Sequence, residues 1–251
     1  MSALSENLKL TFADCSKLGP AMGNRWVNPV GVLLIAAVLG LPLLAQAQAP
    51  APPPSATAKV ENSVRPAQTI LVVGDSLSAE YGLKRGTGWV PLLDKQLASE
   101  TRNAKVINAS ISGDTTSGGR SRLPALLTLH RPSTVVIELG GNDALRGLPL
   151  DMTEKNLLAM AQASKKAGAK VLLIGMQVPP NYGGAYAAGF ASLFLKVAKA
   201  EKVALVPFLL KGIADGEDAA SHFQPDRIHP NEQSQPSMLA NVWPELKKII
   251  K

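Results

Sequence analysis

A serine hydroxyl is a poor nucleophile until a neighbouring imidazole takes its proton. The imidazole in turn works when a carboxylate fixes its tautomer and stabilises the imidazolium. The chain carries the parts of such a relay. Ser76 lies in Gly74-Asp75-Ser76-Leu77-Ser78, and Asp226 stands three residues before His229 in Asp226-Arg227-Ile228-His229-Pro230. That spacing lets carboxylate and ring meet within one turn of chain. Acyl transfer also builds negative charge on a carbonyl oxygen, which needs donors aimed at it. The backbone N–H of Ser76, the N–H of Gly113 and the side-chain amide of Asn142 are the candidates. Glycine at 113 lets the backbone come close to a substrate. Each block alone has a plainer reading. Gly-Asp-Ser and Gly140-Gly141-Asn142-Asp143 are ordinary turn chemistry. A lone histidine is more often surface or satisfied core, the reading given to His130 and His222. His229 differs because Asp226 precedes it and a proline follows.

These blocks need elements to hold them. Thr69–Val73 is a short apolar, partly β-branched run ending at Gly74, the pattern of a buried parallel strand. Lys105–Ala109, Ser133–Leu139, Lys170–Met176 and Val203–Pro207 read as four more strands. Helical spacing falls between them, over Trp89–Arg102, Ser121–His130, Asp151–Ala167, Tyr186–Glu201 and Pro236–Lys251. Thr153 is the expected cap of the third helix, Gly168 its terminator and Pro244 a kink in the last. Strands alternating with helices imply βαβ units, a parallel sheet and helices on both faces. In such sheets ligands bind beyond the carboxyl ends of the strands. Ser76, Gly113 and Asn142 follow the first three strands.

Composition narrows the classes. Hydrophobic residues are 46% and charged residues 18%, so the chain builds a core. One cysteine, Cys15, excludes a disulfide scaffold and a thiolate zinc cluster. The net charge of +7 is spread with no Lys/Arg run longer than two, a solvated basic surface rather than a nucleic-acid groove. Phosphate-loop and dinucleotide fingerprints do not occur, so no nucleotide cofactor is expected. Asp75 and Asp114 stand without a clustered ligand set, and no metal is expected.

The N-terminal region reads as an address. Val30–Ala45 is sixteen residues without a charge, Arg25 precedes it, and Ala45-Gln46-Ala47-Gln48-Ala49 offers small-residue cleavage sites. Residues 1–49 are thus expected to be a secretory signal peptide, with Met22 an alternative start that leaves a basic flank of ordinary length. A spanning helix needs about 20 apolar residues, and Pro42 interrupts this run, so a retained anchor is the lesser reading. Residues 50–64 are an Ala/Pro-rich linker, and 65–251 the folded body.

The order of the blocks is more specific than any one of them. Gly-Asp-Ser-Leu-Ser, a glycine after the second strand, Gly-Gly-Asn-Asp and Asp-x-x-His-Pro run from Ile70 to Asn231. This resembles the GDSL or SGNH hydrolase superfamily, and within it the bacterial periplasmic thioesterase, lysophospholipase and arylesterase branch. The segment Gln177–Tyr186 is similar to that branch's loop after the fourth strand. The resemblance implies a flavodoxin-like three-layer α/β/α sandwich of about five parallel strands. It implies an exported, periplasmic or secreted, monomeric serine esterase/thioesterase on small-molecule acyl substrates, with no cofactor, nucleic acid or stable membrane span. Ser76, Asp226 and His229 would form the triad, and Ser76, Gly113 and Asn142 the oxyanion hole. The G-x-S-x-G elbow of α/β-hydrolases is absent, which points to an open site. A carbohydrate O-acetyl esterase, a non-catalytic binding module and a flavin carrier are the alternatives on this topology. Two departures stand out: Arg227 where the branch has glycine, and the run Gln233-Ser234-Gln235-Pro236, which bears on how the last helix meets His229.

Overall fold

A computed structural model describes residues 68–100 and 103–250. The expected signal peptide and linker lie outside the described residues. Five parallel strands form one sheet: β1 (Gln68–Gly74), β2 (Ala104–Asn108), β3 (Thr134–Glu138), β4 (Lys170–Ile174) and β5 (Ala204–Val206). Their order is β2-β1-β3-β4-β5, the flavodoxin-like order with its reversal between β1 and β3. Ile70 to Val73 are fully buried, because helices cover both faces.

The helices are α1 (Trp89–Ser99), α2 (Thr116–His130), α3 (Gly141–Leu145), α4 (Leu150–Lys166), α5 (Gly184–Glu201) and α6 (Gln235–Ile249). α1 packs on α6, while α2 packs on α4 and α4 on α5, giving the two outer layers of an α/β/α sandwich. Phe190 and Phe194 of α5 meet edge to face, with centroids 5.3 Å apart, and both are buried. Burial of such rings is the main favourable contribution to the fold.

Several boundaries differ from the sequence reading. α2 begins at Thr116, ahead of the expected Ser121, because the Thr115 hydroxyl accepts from Gly118 N–H and caps a glycine-rich first turn. Gly119 is required there, since a Cβ would stand 2.3 Å from Leu139 Cδ1. α4 begins after Pro149, so Thr153 is not its cap. Thr153 is buried inside the helix and donates its hydroxyl to Asp143. Gly168 does end α4: at φ +84° its N–H bonds the Lys165 carbonyl, and Ala169 N–H bonds that of Ser164. α6 runs unbroken through Pro244. The Gly-Gly-Asn-Asp block is more than a turn, for it opens the short helix α3.

Register does the positioning. Gly74 of β1 lies opposite Glu138 of β3, so Asp75-Ser76 and Gly140–Asn142 leave the sheet side by side. Val72 lies opposite Asn108 of β2, and Ile111 N–H bonds the Gly74 carbonyl, which brings the loop to Gly113 alongside. Among the described residues no helix is long and apolar enough to cross a membrane.

Candidate active site

The three strand ends and the loop before α6 converge. His229 Nε2 lies 2.8 Å from Ser76 Oγ, and His229 Nδ1 lies 2.7 Å from Asp226 Oδ2. Hydroxyl, imidazole and carboxylate are therefore joined in one row, across 153 residues of chain between Ser76 and His229. Asp226 Oδ1 also accepts the backbone N–H groups of Ile228 and His229, at 2.9 and 3.0 Å. Burial pushes the Asp226 carboxyl up, but those two N–H groups and the ring outweigh it and bring it down to about 2. It is an anion at any working pH.

Arg227 occupies the position where glycine was expected. Its φ of +57° is left-handed backbone, a strain of about 1–2 kcal/mol for a residue with a Cβ. The turn forms nonetheless, because Arg227 N–H bonds the Gln224 carbonyl and Asp226 anchors the two residues beyond. The second departure also has a local reason. Gln235 is buried, accepts Trp89 N–H on Oε1 at 3.1 Å and donates Nε2 to the Asn231 carbonyl at 3.1 Å. It ties the loop after His229 to the start of α1, and leaves the His229–Ser76 contact in place.

The expected donors flank the same centre. Gly113 has φ +78°, a conformation that favours glycine, and its carbonyl accepts Arg146 Nη2 at 2.8 Å. The N–H groups of Ser76 and Gly113 make no hydrogen bond within the described residues. The Asn142 Nδ2 group points between β1 and β2, at 3.0 Å from Asp75 Oδ2 and 2.9 Å from the Asp114 carbonyl. The structure thus brings Ser76, Gly113, Asn142, Asp226 and His229 to one end of the sheet. His130 ends α2, away from this row, and His222 faces Ser234.

Several residues around the centre went unread in the sequence. Tyr81 lays its ring against His229, centroids 4.4 Å apart, and Gln224 ties the two by donating its side-chain Nε2 to the Tyr81 carbonyl and its backbone N–H to the His229 carbonyl. Arg122 gathers the strand ends: its Nε pairs with Asp114 Oδ2 at 2.8 Å, Nη1 with the Ala109 carbonyl and Nη2 with that of Gly74. Asp143, fully buried, accepts Thr116 N–H at 2.8 Å and the Thr116 and Thr153 hydroxyls, fastening α3 to α2 and α4. Asp75 and Glu138 are buried carboxyls beside Ser76. Burial drives the Asp75 carboxyl up to about 6, against the opposing pull of Leu77 N–H, His229 and Asn142. Burial, then the Asp75 charge, pushes Glu138 well above the usual carboxylate range. Glu138 had a signal, a lone acid closing an apolar strand; the partners of Arg122 had none, being set by tertiary contact.

Beside α3 a cleft of about 370 Å³ is lined by Ala144, Leu145, Gly147, Tyr182 and Tyr186. Its lining mixes polar and apolar surface, and it begins at Ala144, two residues beyond Asn142.

Known proteins resemble this chain in sequence and fold. Residues 72–235 fit the pattern of the GDSL-like lipase/acylhydrolase family. The chain is 53% identical over 184 residues to the esterase TesA of Pseudomonas aeruginosa, covering 73% of this chain and 90% of that one. It is 43% identical to the thioesterase 1/protease 1/lysophospholipase L1 of Escherichia coli K12, covering 73% and 86%. Among solved structures, that of TesA superposes with a TM-score of 0.70 at 52% identity, over 73% of this chain and all of the other.

Proposed function

Because the chain belongs to the GDSL-like lipase/acylhydrolase family and is an ester-bond hydrolase, we propose that it cleaves acyl esters and thioesters through an acyl-Ser76 intermediate. The observation that carries this is His229, held at 2.8 Å from Ser76 and 2.7 Å from Asp226. His229 takes the Ser76 proton as Oγ attacks the acyl carbonyl, then gives it to the departing alcohol or thiol. Water activated by the same ring releases the acid. Asp226, anionic throughout, holds Nδ1–H and balances the imidazolium. The Ser76 and Gly113 N–H groups and the Asn142 amide receive the charge on the carbonyl oxygen. The cleft of Leu145, Tyr182 and Tyr186 takes the acyl chain.

The protein acts after export, as the uncharged run Val30–Ala45 and the small residues after it support. N-terminal sequencing of the protein recovered outside the cytoplasm should begin near Ala49; a retained Met1 or Met22 would count against this.

Ser76→Ala should abolish hydrolysis of p-nitrophenyl esters and acyl-CoA thioesters while thermal unfolding stays unchanged. Loss of a triad nucleophile costs about 10⁶-fold in related chemistry. A fluorophosphonate probe should label Ser76 in the wild type. Retention of a tenth of the activity, or label on another residue, overturns the assignment.

A further inference from the structure

Tyr81 leaves half of its surface in water, yet the backbone is bent on both sides of it. Glu80 before it has φ +60° and Gly82 after it φ +69°, both left-handed. For Glu80, which carries a Cβ, that conformation costs stability. Its carboxylate offsets the cost by accepting the Gly86 and Gly88 N–H groups, each at 2.8 Å. Tyr81 N–H bonds back to the Ser76 carbonyl at 3.3 Å, which closes the turn on the residue that carries the nucleophile. A ring left half in water adds little to the core, so burial does not account for so much local structure.

A strap from the far end of the chain completes the placement. Gln224 donates Nε2 to the Tyr81 carbonyl at 2.8 Å and to the Pro230 carbonyl at 3.2 Å, and its backbone N–H to the His229 carbonyl at 2.8 Å. Phe223 and Pro230 pair as an antiparallel bridge across the same loop. Gly82 leaves the room, since a Cβ there would stand 2.0 Å from Gln224 Oε1. One side-chain amide thus joins the turn after β1 to the loop that carries the base.

The product is a ring laid on a ring, with centroids 4.4 Å apart and planes inclined by 38°. His229 is bounded by Ser76 at Nε2, by Asp226 at Nδ1 and by Tyr81 on a face. As it takes the serine proton the imidazole becomes a cation, and an aromatic face attracts a cation. The charged groups that act on it are Asp226 on its own loop and Asp75 at the end of β1. Tyr81 adds attraction from a third direction. Among the described residues its hydroxyl has no hydrogen-bond partner, which leaves the ring as the part that acts.

We propose that Tyr81 is a positioning residue for the reaction: its ring holds the His229 imidazole in the row and favours the imidazolium while the acyl group is transferred. This rests on the site reading given above.

Tyr81→Leu keeps an apolar cover on His229 and removes the aromatic face. We expect kcat on p-nitrophenyl butyrate to fall about 2–5-fold with KM within about twofold. The acid limb of the pH–rate profile should move down by about 0.4–0.7 pH units, because loss of the face disfavours the imidazolium. Tyr81→Phe should restore both. The same movement should appear without substrate: in the Ser76→Ala background, the NMR titration of the His229 ring protons should have its midpoint lower in Tyr81→Leu than with Tyr81 or Tyr81→Phe. An unmoved midpoint, an equal loss in Tyr81→Phe, or a raised KM at unchanged kcat would each overturn the proposal, the last by placing Tyr81 against the substrate. The titration needs no hydrolysis, so it decides the role of Tyr81 at His229 even if activity retained in Ser76→Ala shows the esterase reading to be wrong. Activity lost in Ser76→Ala beside an unmoved midpoint rejects the role of Tyr81 alone.

Discussion

Asp226 lies at the surface edge of the site, with 36% of its side chain exposed, yet its carboxyl is brought to about 2 by two backbone N–H groups and a ring. Water therefore does not compete it out of its role. Asp226→Asn keeps an oxygen for Ile228 and His229 N–H, so the loop holds, but it offers Nδ1 the wrong partner. We expect kcat to fall by about 10³–10⁴-fold with thermal unfolding little changed, the scale seen when a triad acid becomes an amide. A loss under tenfold would show that His229 works without its carboxylate. These residues were legible in the sequence because their chemistry is local: Asp226 and His229 are three apart, and Gly113 and Asn142 each close a strand. Tyr81 and Asp75 were not, since their contacts lie with neighbours 63 to 148 positions away.

At the scale of elements, sequence periodicity found all five strands, because each is a short apolar run; β1, β3 and β4 are buried on both faces, while β2 and β5, at the sheet edges, are only partly covered. It misplaced the start of α2, whose first turn holds two glycines and low helix propensity. A side-chain cap at Thr115 and close packing of Gly119 on Leu139 outweigh that propensity. Gly119→Ala tests the second. Alanine favours helix by about 1 kcal/mol, but a Cβ 2.3 Å from Leu139 Cδ1 forces the core to move. Overpacking of this kind costs about 1–3 kcal/mol, so the net change should be destabilising. Urea unfolding would measure it, and a more stable variant would mean that Leu139 yields freely.

Across the whole molecule, the buried carboxyls and Asp226 pull stability in opposite directions with pH. Asp75 rises in the fold from 3.8 to about 6, so the stability linked to its proton is present below 3.8 and lost as pH climbs through 6. That difference is on the order of 3 kcal/mol. Glu138 acts in the same sense and loses its share at higher pH. Asp226, brought down to about 2, contributes above 3.8 and loses its share as pH falls through 2. Glu138→Gln removes the raised carboxyl and keeps its shape. Its gain in Tm over the wild type should therefore be larger at pH 8 than at pH 4.5, by differential scanning calorimetry. An equal difference at both values would show that Glu138 bears no burial penalty.

The span between Ser76 and His229 has a consequence for how the molecule comes into being. Synthesis delivers β1 and Ser76 early, and the loop carrying His229 only after β5 has been made. An unfinished chain on the ribosome thus holds Ser76 without His229 beside it. The row of Ser76, His229 and Asp226 is complete only when the 226–229 loop arrives, and Gln235 then latches onto Trp89. Arrested chains ending at residue 225 should stay dark to a fluorophosphonate dye that lights up the finished protein; bright arrested chains would mean that maturation imposes no such delay.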